Sequence, residues 1–96
     1  MTPAAPIDAE LKALRAQVEG IDDQLVALIA ARVALARAVG ELKHARGLPL
    51  LDATREAAVV RRAGLRARDA GVSDEPVRAI FWQLIELCRH AQERPR

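Results

Sequence analysis

Apolar residues recur in steps of three and four along the first half of the chain: Leu11, Leu14, Val18, Ile21, Leu25 and Leu28, then position 32, then Leu35, Val39 and Leu42. This is a heptad seam, the pattern needed where two long helices pack along their length. One position breaks it, because residue 32 is Arg. The seam predicts a helix starting near Asp8, an N-cap candidate behind Pro3 and Pro6 with Glu10 in the first turn. The helix should stop at Arg46-Gly47-Leu48-Pro49. Gly20 and Gly40 fall inside it, and each costs up to about 1 kcal/mol against Ala, too little to break so strong a pattern.

A second helix is expected from Asp52, as N-cap, through Arg55, Glu56, Val59, Val60, Ala63 and Ala67 to a C-cap at Gly71. Its apolar face is weak, so it needs the rest of the fold to hold it. A third is expected from Ser73, with Asp74 and Glu75 in the first turn and Pro76 just inside. Val77, Ile80, Phe81, Leu84, Ile85 and Cys88 share one face of it at helical spacing. No segment alternates strictly between apolar and polar residues, so strands are not expected. The expected fold class is all-α: three helices, one of them very long. Residues 1–7 are expected to form a disordered tail, 8–92 one helical domain, and 93–96 a frayed end.

A first helix of about 38 residues is roughly 57 Å long. A compact globule of 96 residues is only about 30–35 Å across. The two shorter helices cannot cover the whole seam, so the remainder is expected to meet a second copy in a two-fold homodimer, antiparallel or crossed. The alternative is a break near Gly20 that yields a monomeric four-helix bundle, although Gly20 has no neighbouring Pro or polar loop to make one.

Composition narrows the partners. Apolar residues are 51% of the chain but aromatics only 2%, which suits closely packed helices. Fifteen basic and 13 acidic residues leave a net charge of +2, too balanced for binding nucleic acid through a basic face. The arginines from Arg55 to Arg68 read as a solvated helix face. Cys88 is the sole cysteine and can make no intrachain disulfide, which fits a reducing compartment. The opening Met1-Thr-Pro-Ala-Ala-Pro-Ile-Asp has neither a basic n-region nor an apolar h-region, and no apolar run is long enough for a membrane. The expected setting is the cytoplasm, without a nucleic-acid or membrane partner.

Candidate chemistry starts from Arg32. A guanidinium in an apolar seam needs an anion, either a carboxylate on another helix or a ligand. Lys43 lies eleven residues on, about three turns and 16 Å along the same face, with no acid between them on that face, which favours an anion site. Arg15 is seventeen residues before Arg32, about 25 Å away along the helix, so it can join that site only from a partner chain; otherwise it is an exposed helix charge. Asp52 is explained as a cap, and Arg55 and Glu56 beside it read either as surface or as site residues. On the third helix Cys88 and Gln92 are four apart on the apolar face. Gln92 is then a buried amide or a solvated end, and Cys88 is a site or a core residue.

Taken in order, these positions resemble the all-helical class (type II) of chorismate mutase. The matching elements are Leu14-Arg15, Asp22 with Leu25 and Leu28, Ala30-Ala31-Arg32, Leu35-Ala36, Val39-Gly40, Lys43, Asp52-x-x-Arg55-Glu56, and Ile85-Glu86 to Gln92. They span residues 11 to 92 without an insertion. Each short motif is weak, but the ordered set at fixed intervals is specific. The resemblance implies an intertwined homodimer with two equivalent sites, each taking one arginine, Arg15, from the other subunit. It implies the pericyclic rearrangement of chorismate to prephenate, on the shikimate route to phenylalanine and tyrosine, with no cofactor or metal. Arg15, Arg32 and Arg55 would hold the dicarboxylate. Lys43 and Gln92 would donate to the ether oxygen as negative charge builds there. Glu56 would bind the ring hydroxyl, and Asp52 would support the loop. Lys43, Gln92, Arg32 and Glu56 are thus the implied catalytic residues. Cys88 departs from the serine that touches a substrate carboxylate in better-known members, and a thiol is the weaker donor.

The alternatives are an isochorismate pyruvate-lyase or an aminodeoxychorismate mutase on the same scaffold, and, in a different class, a non-catalytic helical dimerisation module. A module does not explain Arg32 in the seam with Lys43 in phase. The lyases lack a clean Asp-x-x-Arg-Glu.

Overall fold

The structure, a computed structural model, describes residues 4–93. They form three helices: α1 (Ala4–Ala45), α2 (Ala53–Asp69) and α3 (Asp74–Glu93). No strand occurs among the described residues, so the chain is all-α as the periodicity requires. No helix among them is long and apolar enough to cross a membrane. The chain divides into two compact units, Met1–Ala31 and Arg32–Arg96, with α1 contributing to both.

The first unit is helix. It begins at Ala4, not at the expected Asp8 cap, so Asp8 is an interior helical residue and residues 4–7 are helical rather than tail. Pro6 is tolerated there because N–H groups in the first turn have no intrahelical acceptor to lose. Residues 1–3 and 94–96, where the rest of the expected tails fall, lie outside the described residues. Leu11, Leu14, Val18, Ile21, Leu25 and Leu28 are each 43% to 67% exposed, an uncovered apolar stripe.

In the second unit α1 ends as its sequence demands. Gly47 adopts φ 66°, and Leu48 N donates to Lys43 O at 2.8 Å, closing a Schellman turn. Asp52 caps α2, its Oδ1 accepting from Arg55 N at 3.0 Å. Gly71, φ 74°, closes α2 in the same way, with Val72 N donating to Ala67 O at 2.8 Å. Asp74 then pairs with Arg68 at 3.3 Å and Arg78 at 3.2 Å, tying the end of α2 to the start of α3.

The core of this unit is small. α2 buries Val60, Ala63, Gly64 and Ala67. α3 buries Ile85, Cys88 and Ala91. Ala36 of α1 packs with Cys88 and Ala91, and Val33 lies against them. The α1 stripe that meets α3 is therefore Val33, Ala36 and Gly40. It is offset by one residue from the seam positions Leu35, Val39 and Leu42, which stay exposed. The reason is steric. A β-carbon on Gly40 would lie 2.8 Å from Gln92 Cα, so only small residues allow this approach. Ile80, expected on the inner face of α3, is exposed as well.

Candidate active site

A cleft of about 330 Å³ opens in the second unit. Its polar lining comes from all three helices: Arg32 and Lys43 from α1, Arg55 and Glu56 from α2, Cys88 and Gln92 from α3. Leu35, Val39, Val59 and Ile85 form apolar walls. The offset stripe of α1 explains this arrangement. Small residues seat α1 on α3, while the larger Leu35 and Val39 flank the opening.

Hydrogen bonds fix the donors. Lys43 Nζ donates to Leu50 O at 2.9 Å and to Gln92 Oε1 at 3.3 Å. The ammonium has three protons, so one remains for a ligand. Gln92 spends its carbonyl oxygen on Lys43, which leaves its NH2 as the end free to donate. Arg32 Nη1 donates to Cys88 Sγ at 2.9 Å. Cys88 is buried, and its sulfur braces Arg32. Among the described residues, Arg32, Lys43 and Arg55 make no ion pair, so three cations face one cleft without a protein carboxylate to neutralise them.

Glu56 is the carboxylate in the lining, and it is spoken for. Arg89 of α3 donates Nη2 to Oε1 at 2.7 Å and Nε to Oε2 at 3.2 Å. The hydrogen bond to Glu56, and then its charge, raise the Arg89 pKa above its ordinary value, and Glu86 and Glu93 add to the effect. Arg89 is absent from the expectations drawn from sequence. The available signal was its place four residues after Ile85 and three before Gln92, at the edge of the inward face.

Two expected site residues stand elsewhere. Asp52 is exposed and outside the cleft lining, and it acts on the site through the cap that orients the first turn of α2, from which Arg55 and Glu56 project. Arg15 is an exposed residue of the first unit, beside Asp8, Leu11, Lys12 and Glu19 in a shallow groove. A larger trough of about 660 Å³ runs between α2 and α3, floored by Val59, Ala63, Val77 and Phe81 and edged by Arg62 and Arg66. It shares Arg32 and Arg55 with the cleft, but its polar lining is arginine alone, without the ammonium, carboxylate and amide that meet in the cleft. No group of three or more His, Cys, Asp or Glu side chains among the described residues is placed to hold a metal ion.

The arrangement can hold a small molecule with two negative groups between the guanidinium donors of Arg32 and Arg55, and can present two further donors, Lys43 and Gln92, to one atom between them. The chain is 36% identical over 71 residues to the T-protein of Haemophilus influenzae, covering 74% of this chain and 19% of that protein. It thus spans about a fifth of that relative's length. It is 32% identical over 85 residues to the chorismate mutase of Methanocaldococcus jannaschii, covering 88% of this chain and 86% of that one. A solved structure of a conserved hypothetical protein from Pyrococcus furiosus superposes with a TM-score of 0.72 at 34% identity, over 86% of this chain and 95% of that one. The family profile described as chorismate mutase type II matches residues 14–93. With the match running from the first unit through the last turn of α3, the chain belongs to the chorismate mutase type II family.

Proposed function

We propose that this chain rearranges chorismate to prephenate, acting as a cytoplasmic homodimer whose catalytic domain is residues 8–92. The observation that carries the reading is the cleft in which Arg32, Lys43 and Arg55 converge, none of them ion-paired among the described residues, while the one carboxylate of the lining, Glu56, is held by Arg89. Like charges gathered on one cleft repel, and an anion placed among them is held by all three. Chorismate supplies two carboxylates. The Methanocaldococcus jannaschii relative, matched over 86% of its length, carries the name of this activity.

The rearrangement breaks a C–O bond as a C–C bond forms, within one molecule, and negative charge builds on the ether oxygen. Arg32 and Arg55 hold the carboxylates and keep the substrate in the compact conformer that brings the reacting carbons together. Lys43 and the NH2 of Gln92 donate to the ether oxygen. Their mutual hydrogen bond sets them before the substrate arrives, so they favour the transition state over the ground state. Glu56 accepts from the ring hydroxyl. Cys88 braces Arg32 by its sulfur and leaves less direct contact with a carboxylate than a hydroxyl would.

A second copy completes the site in this reading, through Arg15 of the partner subunit. The exposed stripe Leu11 to Leu28 supports it, since apolar patches of that extent mark interaction surfaces. Charge supports it too: residues 4–31 carry five acids and two bases, while α2 carries five arginines and two acids along the apolar trough. A lone cysteine fits a reducing cytoplasm.

The test is an assay of purified protein with chorismate and, separately, isochorismate. Prephenate from chorismate is expected. Turnover no faster than the uncatalysed reaction would end the enzymatic reading, and pyruvate from isochorismate alone would replace it with the lyase.

A further inference from the structure

The Glu56–Arg89 pair is unequal. Glu56 is 17% exposed and lines the cleft, whereas Arg89 is 37% exposed and is not among the lining residues. Two hydrogen bonds between a planar guanidinium and a planar carboxylate fix tilt as well as position, which one bond does not. Each carboxylate oxygen has two lone-pair sites. Arg89 takes one on each oxygen and leaves one on each for a further hydrogen donor, and Glu56 lines the cleft.

A partly exposed ion pair between two helices adds little as a tie. Its effect on the cleft is larger. Glu56 shares the lining with Arg32, Lys43 and Arg55, and a carboxylate free to swing onto any of them would neutralise the charge meant for a ligand anion. Arg89 removes that option by holding Glu56 from outside the lining.

We propose that Arg89 is a positioning residue: it holds Glu56 off the cleft cations and aims it at the ring hydroxyl, so that it sets the preference for a hydroxylated cyclic dicarboxylate over one lacking the hydroxyl. The proposal rests on the reading of the cleft given under Proposed function.

The test compares the unaltered protein with Arg89→Leu and Arg89→Lys. Affinity is measured by calorimetry for a bicyclic ether dicarboxylate that mimics the transition state, with and without its hydroxyl, and kcat and KM are measured for chorismate. Sites built to bond a hydroxyl strongly reject analogues without it. The unaltered protein is expected to prefer the hydroxylated ligand at least about tenfold. Arg89→Leu should cut this to under about threefold while binding the deoxy ligand within about twofold of normal. Arg89→Lys keeps the charge and the fold but loses the fork, and should lose most of the preference. If both variants keep the full preference, or if both ligands weaken equally, Arg89 is only a tie between helices. An inactive protein that still reads the hydroxyl through Arg89 would sink the mutase reading alone. An active one whose preference ignores residue 89 would sink this proposal alone.

Discussion

Gly40 of α1 rides directly on the backbone of Gln92 of α3: a β-carbon at position 40 would lie 2.8 Å from Gln92 Cα and 2.9 Å from its carbonyl oxygen. Real β-carbons do not approach backbone so closely, and backbone in a helix cannot step aside. This contact sets the distance between the helices that carry Lys43 and Gln92.

Gly40→Ala therefore pits helix propensity against packing. Propensity favours Ala by about 1 kcal/mol. Overpacking costs about 1–3 kcal/mol and separates the two donors. A lower melting temperature and a fall in kcat of about tenfold or more are expected, since misplacement of about an ångström is enough for such losses. A variant that melts higher with full activity would contradict the contact.

Lys43→Met removes a donor while keeping an unbranched apolar stem. The lost partners are one loop carbonyl and one amide oxygen, both in a part-exposed setting, so circular dichroism should report an intact helical fold. The kcat is expected to fall about 10²–10³-fold, the usual cost of one transition-state donor. A change confined to KM would assign Lys43 to ground-state binding.

Cys88→Ser tests the sulfur that braces Arg32. The hydroxyl is a better hydrogen-bonding group than the thiol, and one net hydrogen bond corresponds to roughly a two- to tenfold change in affinity. The KM for chorismate is expected to fall within that range, and Cys88→Ala should raise it. Equal KM values for all three would make Cys88 a packing residue only.

Arg15→Ala and Arg32→Ala should each be inactive as purified. If each site takes Arg15 from one subunit and Arg32 from the other, mixing and subunit exchange rebuild one intact site in every mixed dimer. Recovery should approach about a quarter of unaltered activity for random two-fold pairing. No recovery after exchange, shown by mass-tagged subunits, would place both arginines in one chain's site or neither. Leu25→Glu is a companion test. Leu25 is exposed in the single chain, so a monomer would tolerate the change within about 0.5 kcal/mol. A dimer should dissociate on light scattering.

Much of this architecture could be read from residue spacing, because caps and stops are local chemistry. Gly47 and Gly71 sit at positive φ where the helix ends were expected, and Asp52 caps α2 through its own side chain. Six expected site residues line one cleft, since their spacing follows the helical repeat. The misses have physical reasons. The heptad pattern weighs large apolar residues, so it selected Leu35, Val39 and Leu42. The intrachain contact uses Val33, Ala36 and Gly40, whose value is their small size or fit rather than hydrophobic bulk. Gly40 looked like a propensity defect because its neighbour, Gln92, is 52 residues away in sequence. Arg89 drew no expectation because its partner, Glu56, lies on another helix. Asp8 resembled a cap, yet Pro6 is compatible with a first turn and the helix begins earlier.

The segment joining α1 to α2 is fastened twice to a single residue: the Lys43 carbonyl receives Leu48 N at 2.8 Å, and the Lys43 ammonium reaches Leu50 O at 2.9 Å. A connector of this kind is ordinarily the most forgiving stretch of a helical protein, where lengthening is absorbed by solvent. Here its length is coupled to the pose of a charged group in the cleft. One residue added or removed between Arg46 and Leu50 should, on the proposed reading, be felt as altered turnover before it is felt as altered stability.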